Sequence, residues 1–247
     1  RIMLEDPDEK VRVSLVEMAV RLGGNLLLAT LPPNKKELVP LVNHLTSQAR
    51  KAGIRVQLNT KVDATSVLRR RPDAVILAPG ASPIIPDIPG VAGPNVVTAP
   101  DVLTGKAKAG QRVVIVGGGM IGCETAEFLA QQGKTVTVLE MLPRLGEDIG
   151  RATRWVVMQR LRTAKVGMET RAKAQEITEK GVRASRDNES LFFPADTVVI
   201  AVGMKPNREL AQALQGKVPE LHIIGDGLEP RRIAQTAEEG LKAALAI

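Results

Sequence analysis

Cysteine is almost absent from this sequence, since Cys123 is the only one in 247 residues. A single cysteine excludes an intramolecular disulfide, a CxxC metal site and a redox-active cysteine pair within the chain. Any redox chemistry must therefore come from a bound cofactor. Cys123 follows a glycine-rich run directly, and we interpret it as a small packed residue rather than a reactive thiol.

Aromatic residues are also scarce, with three Phe, one Trp and no Tyr, whereas the formal net charge is +7. Excess positive charge can indicate a nucleic-acid-binding protein, but this chain has few aromatic side chains on which bases could stack. The densest basic run, Arg69 to Arg71, is short. We interpret the charge as solvated helix ends, and we expect no nucleic-acid partner. Anionic cofactors explain a mild positive balance equally well.

Long apolar runs are missing as well. No stretch reaches the roughly 18 apolar residues that a membrane helix needs. The first residues lack the basic-then-apolar layout of a signal peptide. The sequence therefore predicts a cytoplasmic protein that does not enter a membrane.

What the chain does contain is an alternation of short β-rich runs with longer helical patterns, which is typical of α/β proteins. Strands are predicted over residues 11–17, 73–78, 113–116, 135–139, 197–201 and 221–224, helices over residues 36–52, 120–132, 152–164 and 231–247, and a β-meander over residues 167–199. Prolines at 83, 86, 89, 94 and 100 predict a linker without helix or central strand.

One internal repeat shapes the predicted architecture. Residues 11–23 and 135–146 share a strand, then an acid (Glu17 or Glu140), then Arg-Leu-Gly after three intervening residues. Ala78-Pro79-Gly80 likewise parallels Ala201-Val202-Gly203. The repeat predicts two related dinucleotide-binding lobes.

The run from Gly117 to Gly122 fits the pattern GxGxxG. By itself the pattern is weak, but here it follows an apolar strand, opens a helix, and precedes an acid, Glu140, at the end of the next strand. In such a unit the first glycine permits a tight turn, the second lets the backbone approach a pyrophosphate, and the third lets the helix pack on the strand. The phosphates would lie on the helix N-terminus. The alternative is an α/β turn with glycines but no ligand.

Glu140 indicates which dinucleotide is bound. A carboxylate at this position accepts hydrogen bonds from the adenosine ribose and repels a 2′-phosphate, so we expect NAD(H) rather than NADP(H). Arg144 is the counter-indication because a guanidinium could receive that phosphate. Its counterpart in the repeat, Arg21, favours a shared structural role instead.

These residues resemble the two-dinucleotide-binding-domain flavoproteins, in particular the reductase portion of the trimethylamine dehydrogenase and 2,4-dienoyl-CoA reductase family. The resemblance covers nearly the whole chain and is carried by Glu17 with residues 21–26, by residues 78–83, by the glycine run and by residues 224–233 (Ile-Gly-Asp-Gly-Leu-Glu-Pro-Arg-Arg-Ile). It implies two Rossmann-like three-layer α/β lobes, with the NAD lobe (residues 109–205) inserted in an FAD lobe (residues 1–108 and 206–247). An upstream flavin-barrel domain or a partner chain is also implied.

The resemblance also implies site residues. Those expected to bind NAD(H) are Gly117, Gly119, Met120, Ile121, Gly122, Glu124, Glu140 and Gly203. Those expected to bind FAD are Glu17, Gly24, Asn25, Val62, Gly80, Gly225, Asp226 and Arg232. Glu124 matches an acid near the nicotinamide, or else is a solvated helix carboxylate, and Asp226 meets the flavin, caps a helix, or does both. No protein general base and no metal ligand is predicted.

Two departures from the family pattern stand out. The FAD lobe should begin with its own strand, glycine turn and helix, which take about 30 residues. Only ten residues precede the strand at Val11, and none is glycine. Three explanations are open: a fragment of a longer chain, which we favour, a partner polypeptide, or another strand that closes the gap. The second departure is Pro79, where the family usually has threonine.

Two functions are compatible with this reading. In the first, the chain belongs to an FAD-dependent NADH oxidoreductase that passes electrons to a substrate-reducing module outside the chain, the cofactors supplying the chemistry. In the second, it is a non-catalytic NAD(H)-binding module that has lost its flavin site. The missing glycine turn supports the second function, whereas the retained Gly225-Asp226 segment supports the first.

Overall fold

The computed structural model describes residues 13–247. In this part of the chain the strands are β1 Ser14–Val16, β2 Arg55–Gln57, β3 Ala74–Leu77, β4 Ala81–Pro83, β5 Val96–Thr98, β6 Arg112–Val116, β7 Thr135–Leu139, β8 Gly167–Glu169, β9 Lys173–Thr178, β10 Gly181–Arg186, β11 Glu189–Pro194, β12 Thr197–Ile200, β13 Met204–Pro206 and β14 Glu220–Ile223. The helices are α1 Gly24–Ala29, α2 Leu38–Lys51, α3 Ala64–Arg69, α4 Ala99–Leu103, α5 Met120–Gln131, α6 Arg151–Thr163, α7 Glu209–Leu214 and α8 Ile233–Ala246, with a 3-10 turn at Gly225–Gly227. None of these helices is long and apolar enough to cross a membrane.

The described chain divides into two units. Unit 1 comprises residues 13–30, Lys35–Ser82 and Lys205–Ile247, and unit 2 comprises Leu31–Asn34 and Pro83–Met204. The mixed α/β class is confirmed.

Unit 2 is built on a five-stranded parallel sheet in the order β5-β12-β6-β7-β8. Its central strand, β6, is apolar on both faces, as expected of a strand covered on both sides. Val113 and Ile115 pack into a cluster with helices α4, α5 and α6, whereas Val114 and Val116 pack with β9 and β10. Strands β9, β10 and β11 form the predicted antiparallel meander. Helices, parallel sheet and meander therefore make three layers.

Unit 1 has less regular structure. Its strands form two separate parallel pairs, β1 with β2 and β3 with β14. Leu77, Ala211 and Leu214 are buried in its small core. Strand β3 is only partly buried, because Ile76 is 42% exposed. Residues 11 and 12 of the first predicted strand lie outside the described residues.

The proline-rich segment is more ordered than predicted. Strand β5 pairs with β12 at the edge of the sheet, and Pro100 occupies the first turn of α4, where its missing N–H costs nothing. Ala99 and Val102 are buried in the core. The prediction that this segment holds no helix is therefore wrong at Ala99–Leu103, whereas an edge strand such as β5 is compatible with it. The longer segment of unit 2 begins at Pro83.

The internal repeat is present in three dimensions. Leu15 pairs with Val56 in one unit as Val138 pairs with Met168 in the other, both in parallel register. Glu17 N–H donates to Gln57 O at 2.8 Å, and Glu140 N–H donates to Glu169 O at 2.8 Å. The two acids therefore occupy equivalent positions at the ends of their strands.

Candidate dinucleotide site

The glycine turn in unit 2 connects β6 to α5. Gly117 has a φ of +105°, and a Cβ there would lie 2.4 Å from Ala201 O. A Cβ on Gly122 would lie 2.0 Å from Gly117 O. Both positions exclude a side chain, so the first and third glycines of the motif have the steric roles expected from the sequence.

Helix α5 begins at Met120 with Gly119 as its N-cap residue, which supplies no side-chain cap. Its first N–H group is nevertheless engaged, because Met120 N donates to both carboxylate oxygens of Asp148, each at 3.0 Å. An anion therefore lies at the positive end of the helix. Sequence reasoning missed Asp148, which follows Glu140 in a loop and matches no motif.

Glu140 is 9% exposed at the end of β7. Its Oε2 accepts Gly118 N–H at 2.7 Å, and its Oε1 accepts Leu142 N–H at 2.8 Å. A carboxylate has about four lone-pair sites, so two such bonds leave acceptor capacity for ribose hydroxyls. The structure thus brings Glu140 onto the glycine turn, a contact that the spacing alone did not reveal.

The other residues expected to bind NAD(H) lie around the same helix or after β12. Met120 and Ile121 are half-buried beside the core of unit 2. Glu124 is also half-buried, so a fully solvated carboxylate is not what the structure shows. Gly203 has a φ of +112°, and its carbonyl oxygen accepts Ile84 N–H at 3.0 Å.

Cys123 lies directly behind the glycine turn and is fully buried. Its Sγ is 3.3 Å from Gly118 O. Burial raises the pKa of the thiol to about 12, and the charges of Asp148, Glu124 and Glu140 act in the same direction. Cys123 is therefore a packed small residue, as predicted.

In unit 1, three of the residues expected to bind FAD lie together. Asn25 Nδ2 donates to Asp226 Oδ2 at 2.9 Å, and a Cβ on Gly80 would lie 3.8 Å from Asn25 Nδ2. Gly80 itself has a φ of +71°. Asp226 is not the N-cap of α8, because the cap residue is Arg232, so that alternative is wrong.

The remaining residues of the expected FAD set are more dispersed. Glu17 Oε1 accepts Ala19 N–H at 2.9 Å, as Glu140 accepts Leu142. Gly24 has a φ of +45° with open space where a Cβ would be, and Val62 is half-buried just before α3. Gly225 N–H donates to Glu239 Oε2 at 2.7 Å.

Glu239 is a second residue that sequence reasoning missed. Besides holding Gly225, its carboxylate pairs with Arg231. In turn, Arg231 N–H donates to Asp226 Oδ1 at 3.4 Å. Glu239 therefore holds the Gly225-Asp226 segment against α8. The sequence did not reveal this role, because the contacting residue, Gly225, lies 14 residues away in the chain.

Pro79, the departure from the family pattern, has a complementary neighbour. A Cβ on Gly227 would lie 2.4 Å from Pro79 Cδ. The proline ring therefore packs directly against Gly227, where any side chain would clash with it.

The residues of unit 2 fit a bound dinucleotide. The three heavy atoms nearest to a Cβ on Gly119 all belong to the exposed Asp148, and Glu140 directly follows β7, where such units carry the acid that meets a ribose. In unit 1, the residues that the resemblance assigns to FAD and that lie together are Asn25, Gly80 and Asp226.

Comparisons with known proteins agree with this geometry. A family profile for pyridine nucleotide-disulphide oxidoreductases matches residues 10–225. A metal reductase from Desulforamulus reducens is 35% identical over 95% of this chain and 40% of its own length. A bilirubin reductase from Mediterraneibacter gnavus is 36% identical over 94% of this chain and 36% of its own length. An NADH oxidase from Thermoanaerobacter brockii is 34% identical over 94% of this chain and 37% of its own length.

A solved 2-naphthoyl-CoA reductase superposes with a TM-score of 0.92 at 31% identity, over 95% of this chain and 36% of that chain. The chain thus spans 36 to 40% of the length of these relatives. A thioredoxin reductase from T. acidophilum shares the fold, with a TM-score of 0.72 at 20% identity, over 95% and 89% of the two chains. With a profile match over most of its length and a glycine turn of the expected geometry, the chain belongs to the pyridine nucleotide-disulphide oxidoreductase family.

Proposed function

We propose that unit 2 binds NADH and presents it for hydride transfer to a flavin, as part of a larger reductase. The observation that carries the proposal is the contact between Glu140 and the glycine turn. A buried carboxylate, held by the N–H groups of Gly118 and Leu142, stands where an adenosine ribose needs an acceptor.

The chain's own residues would bind and orient the cofactor. N–H groups at the start of α5 would hold the pyrophosphate, and Glu140 would accept the ribose hydroxyls. Ile121, Glu124 and Gly203 would line the path toward the nicotinamide. When both cofactors are bound, the dihydronicotinamide would supply a hydride and the flavin would accept it, while these residues hold the dinucleotide in place.

We also propose that the preferred cofactor is NADH rather than NADPH. A 2′-phosphate would come close to the Glu140 carboxylate, which would repel it. Arg144 could offset that repulsion, but its side chain is 68% exposed and pairs with Glu147 at 3.3 Å. This pairing supports a surface role for Arg144.

The flavin would be FAD, held in part by Asn25, Gly80 and Asp226. Electrons would pass onward to a substrate-reducing module outside this chain, a flavin barrel or a partner polypeptide. The support is that the relatives are reductases and oxidases more than twice as long as the part that this chain matches.

A non-catalytic NAD(H)-binding module is the second candidate, and one observation favours it. Glu140 receives a hydrogen bond from the glycine turn through Gly118. The side chain of its counterpart Glu17 accepts a hydrogen bond from Ala19 N–H of its own loop. A Glu17 that lacks a glycine-turn donor would weaken the hold on FAD and leave NADH binding intact.

An absorbance experiment separates the two candidates. The purified chain is mixed with FAD, unbound FAD is removed, and NADH is added without oxygen. Retained flavin absorbance that bleaches on addition of NADH supports the reductase. Binding of NADH without retention of FAD supports the non-catalytic module, and failure to bind either cofactor overturns both proposals.

A further inference from the structure

A carboxylate of the protein itself occupies the position where the proposed function places a phosphate. Both Asp148 oxygens lie 3.0 Å from Met120 N, the first N–H donor of α5. A Cβ on Gly119 would come within 3.2 Å of Asp148 Oδ2. Asp148 therefore lies over the backbone surface that the second glycine of the motif leaves open.

The loop that carries Asp148 is fixed on either side of it. Gly146 N–H donates to Gly118 O at 2.7 Å, and Arg154 Nε donates to Leu145 O at 2.6 Å. Leu145 and Ile149 are 2% and 7% exposed. Asp148, between these anchors, is exposed. Rotation of its side chain alone, with the loop backbone left on the glycine turn, would uncover Met120 N–H.

We propose that Asp148 competes with the pyrophosphate of the dinucleotide for the N-terminus of α5 and so lowers the affinity for NADH. This inference rests on the proposed function. A helix N-terminus attracts any anion, and Asp148 is tethered there whether or not the cofactor is present. Only chains whose carboxylate has rotated away are competent to bind, so the apparent dissociation constant equals the intrinsic constant divided by the competent fraction.

The charge of Asp148 also acts when the side chain has rotated away. A carboxylate a few ångströms from a pyrophosphate repels it, and because Asp148 is exposed, dissolved salt screens this repulsion. The loss of NADH affinity that Asp148 causes should therefore become smaller as ionic strength rises. A residue that merely shaped the loop would not produce that salt dependence.

The test is the dissociation constant of NADH for the 247-residue chain and for D148N. Asn keeps an oxygen that can accept Met120 N–H but has no charge, so D148N should bind NADH about tenfold more tightly at low salt. The gain should largely disappear near 1 M salt, where the Debye length is about 3 Å. ADP-ribose, which keeps the pyrophosphate, should show the same gain.

The matched control is D187N, which makes the same substitution at an exposed aspartate in the turn between β10 and β11 and should leave the affinity unchanged. D148S, a second neutral variant, separates loss of charge from any requirement for the Asn side chain, and the melting temperatures of all variants confirm folding. If the wild type binds NADH and both D148N and D148S bind it equally or more weakly, the inference is overturned while the proposed function stands. If no form binds NADH, both are overturned.

Discussion

Glu140 Oε2 accepts the backbone N–H of Gly118 at 2.7 Å across 22 residues of sequence, in a buried position. The acid that ends β7 is therefore part of the glycine turn itself. Because this contact orients both the turn and the carboxylate, Glu140 is the residue on which the proposed cofactor assignment depends most.

Replacing Glu140 with alanine should abolish the preference for NADH over NADPH and weaken NADH binding by about 2 kcal/mol, since a charge-assisted hydrogen-bond acceptor is lost. Isothermal titration with both dinucleotides measures this effect. The matched control is E17A, which removes the equivalent acid of unit 1 and should leave NADH binding unchanged. An unaltered NADH preference in E140A would refute the cofactor assignment.

A substitution at Gly122 tests the steric role of the third glycine in the motif. The variant G122A places a Cβ 2.0 Å from Gly117 O, so it should lower the free energy of unfolding by about 3 kcal/mol and reduce NADH binding. The control is G150A, because a Cβ at Gly150 meets nothing within 4 Å. Urea denaturation of both variants gives the comparison, and equal stability for the two would contradict the packing described here.

The stability of unit 2 should depend on pH through an ion pair whose carboxylate is buried and whose guanidinium is partly exposed. Glu127, whose side chain is 4% exposed, lies 3.0 Å from Arg160 Nε and accepts a hydrogen bond from Asn34 Nδ2 at 3.1 Å. Burial raises the pKa of Glu127 above its ordinary 4.5, while Arg160 and Asn34 oppose the rise. Removing Arg160 takes away the interaction that lowers the pKa of Glu127 most.

The variant R160M should therefore be less stable than wild type by about 3 kcal/mol at neutral pH, because a buried carboxylate loses its cation. A raised folded-state pKa disfavours the charged form, so the deficit should shrink as the pH falls through the folded-state pKa toward 4.5 and Glu127 takes up a proton. Thermal unfolding at several pH values measures this. A deficit that does not change with pH would show that Glu127 is not the group responsible.

Cys123 should be inert in the folded protein. Its thiol is fully buried and its pKa is raised to about 12, so a thiol reagent at pH 8 should react only as fast as the chain opens. Because the folded-state pKa is raised from 9.0, stability should fall as the pH rises above 9. Labelling in increasing urea tests the first point, and rapid labelling without denaturant would contradict it.

The sequence predicted the parts of the fold that rest on periodicity. Strand β7 matches its predicted range because Thr alternates with apolar residues along it, and α5 ends within one residue of its predicted end because its 12 residues are enough to show a pattern. The helices α1, α3 and α7, of six residues each, were missed because so few residues carry little periodicity. Strand β5 and helix α4 were missed because prolines are read as breakers, although an edge strand and a first helical turn tolerate them.

The candidate site divides in the same way. The glycines and Glu140 could be identified because their spacing is fixed by local geometry. Asp148 and Glu239 could not, because each acts through a backbone N–H brought close by the tertiary fold. No sequence pattern marks a carboxylate in a loop as a ligand of a distant backbone N–H; only the folded structure shows the contact.

Hydrogen exchange of backbone amides with and without NADH tests the central claim most directly. The account predicts slower exchange in the glycine turn and the start of α5, residues 117–123, and at Leu142, with no change in α1 of unit 1. Protection confined to unit 1, or no protection at saturating NADH, would contradict the assignment of unit 2 as the dinucleotide site.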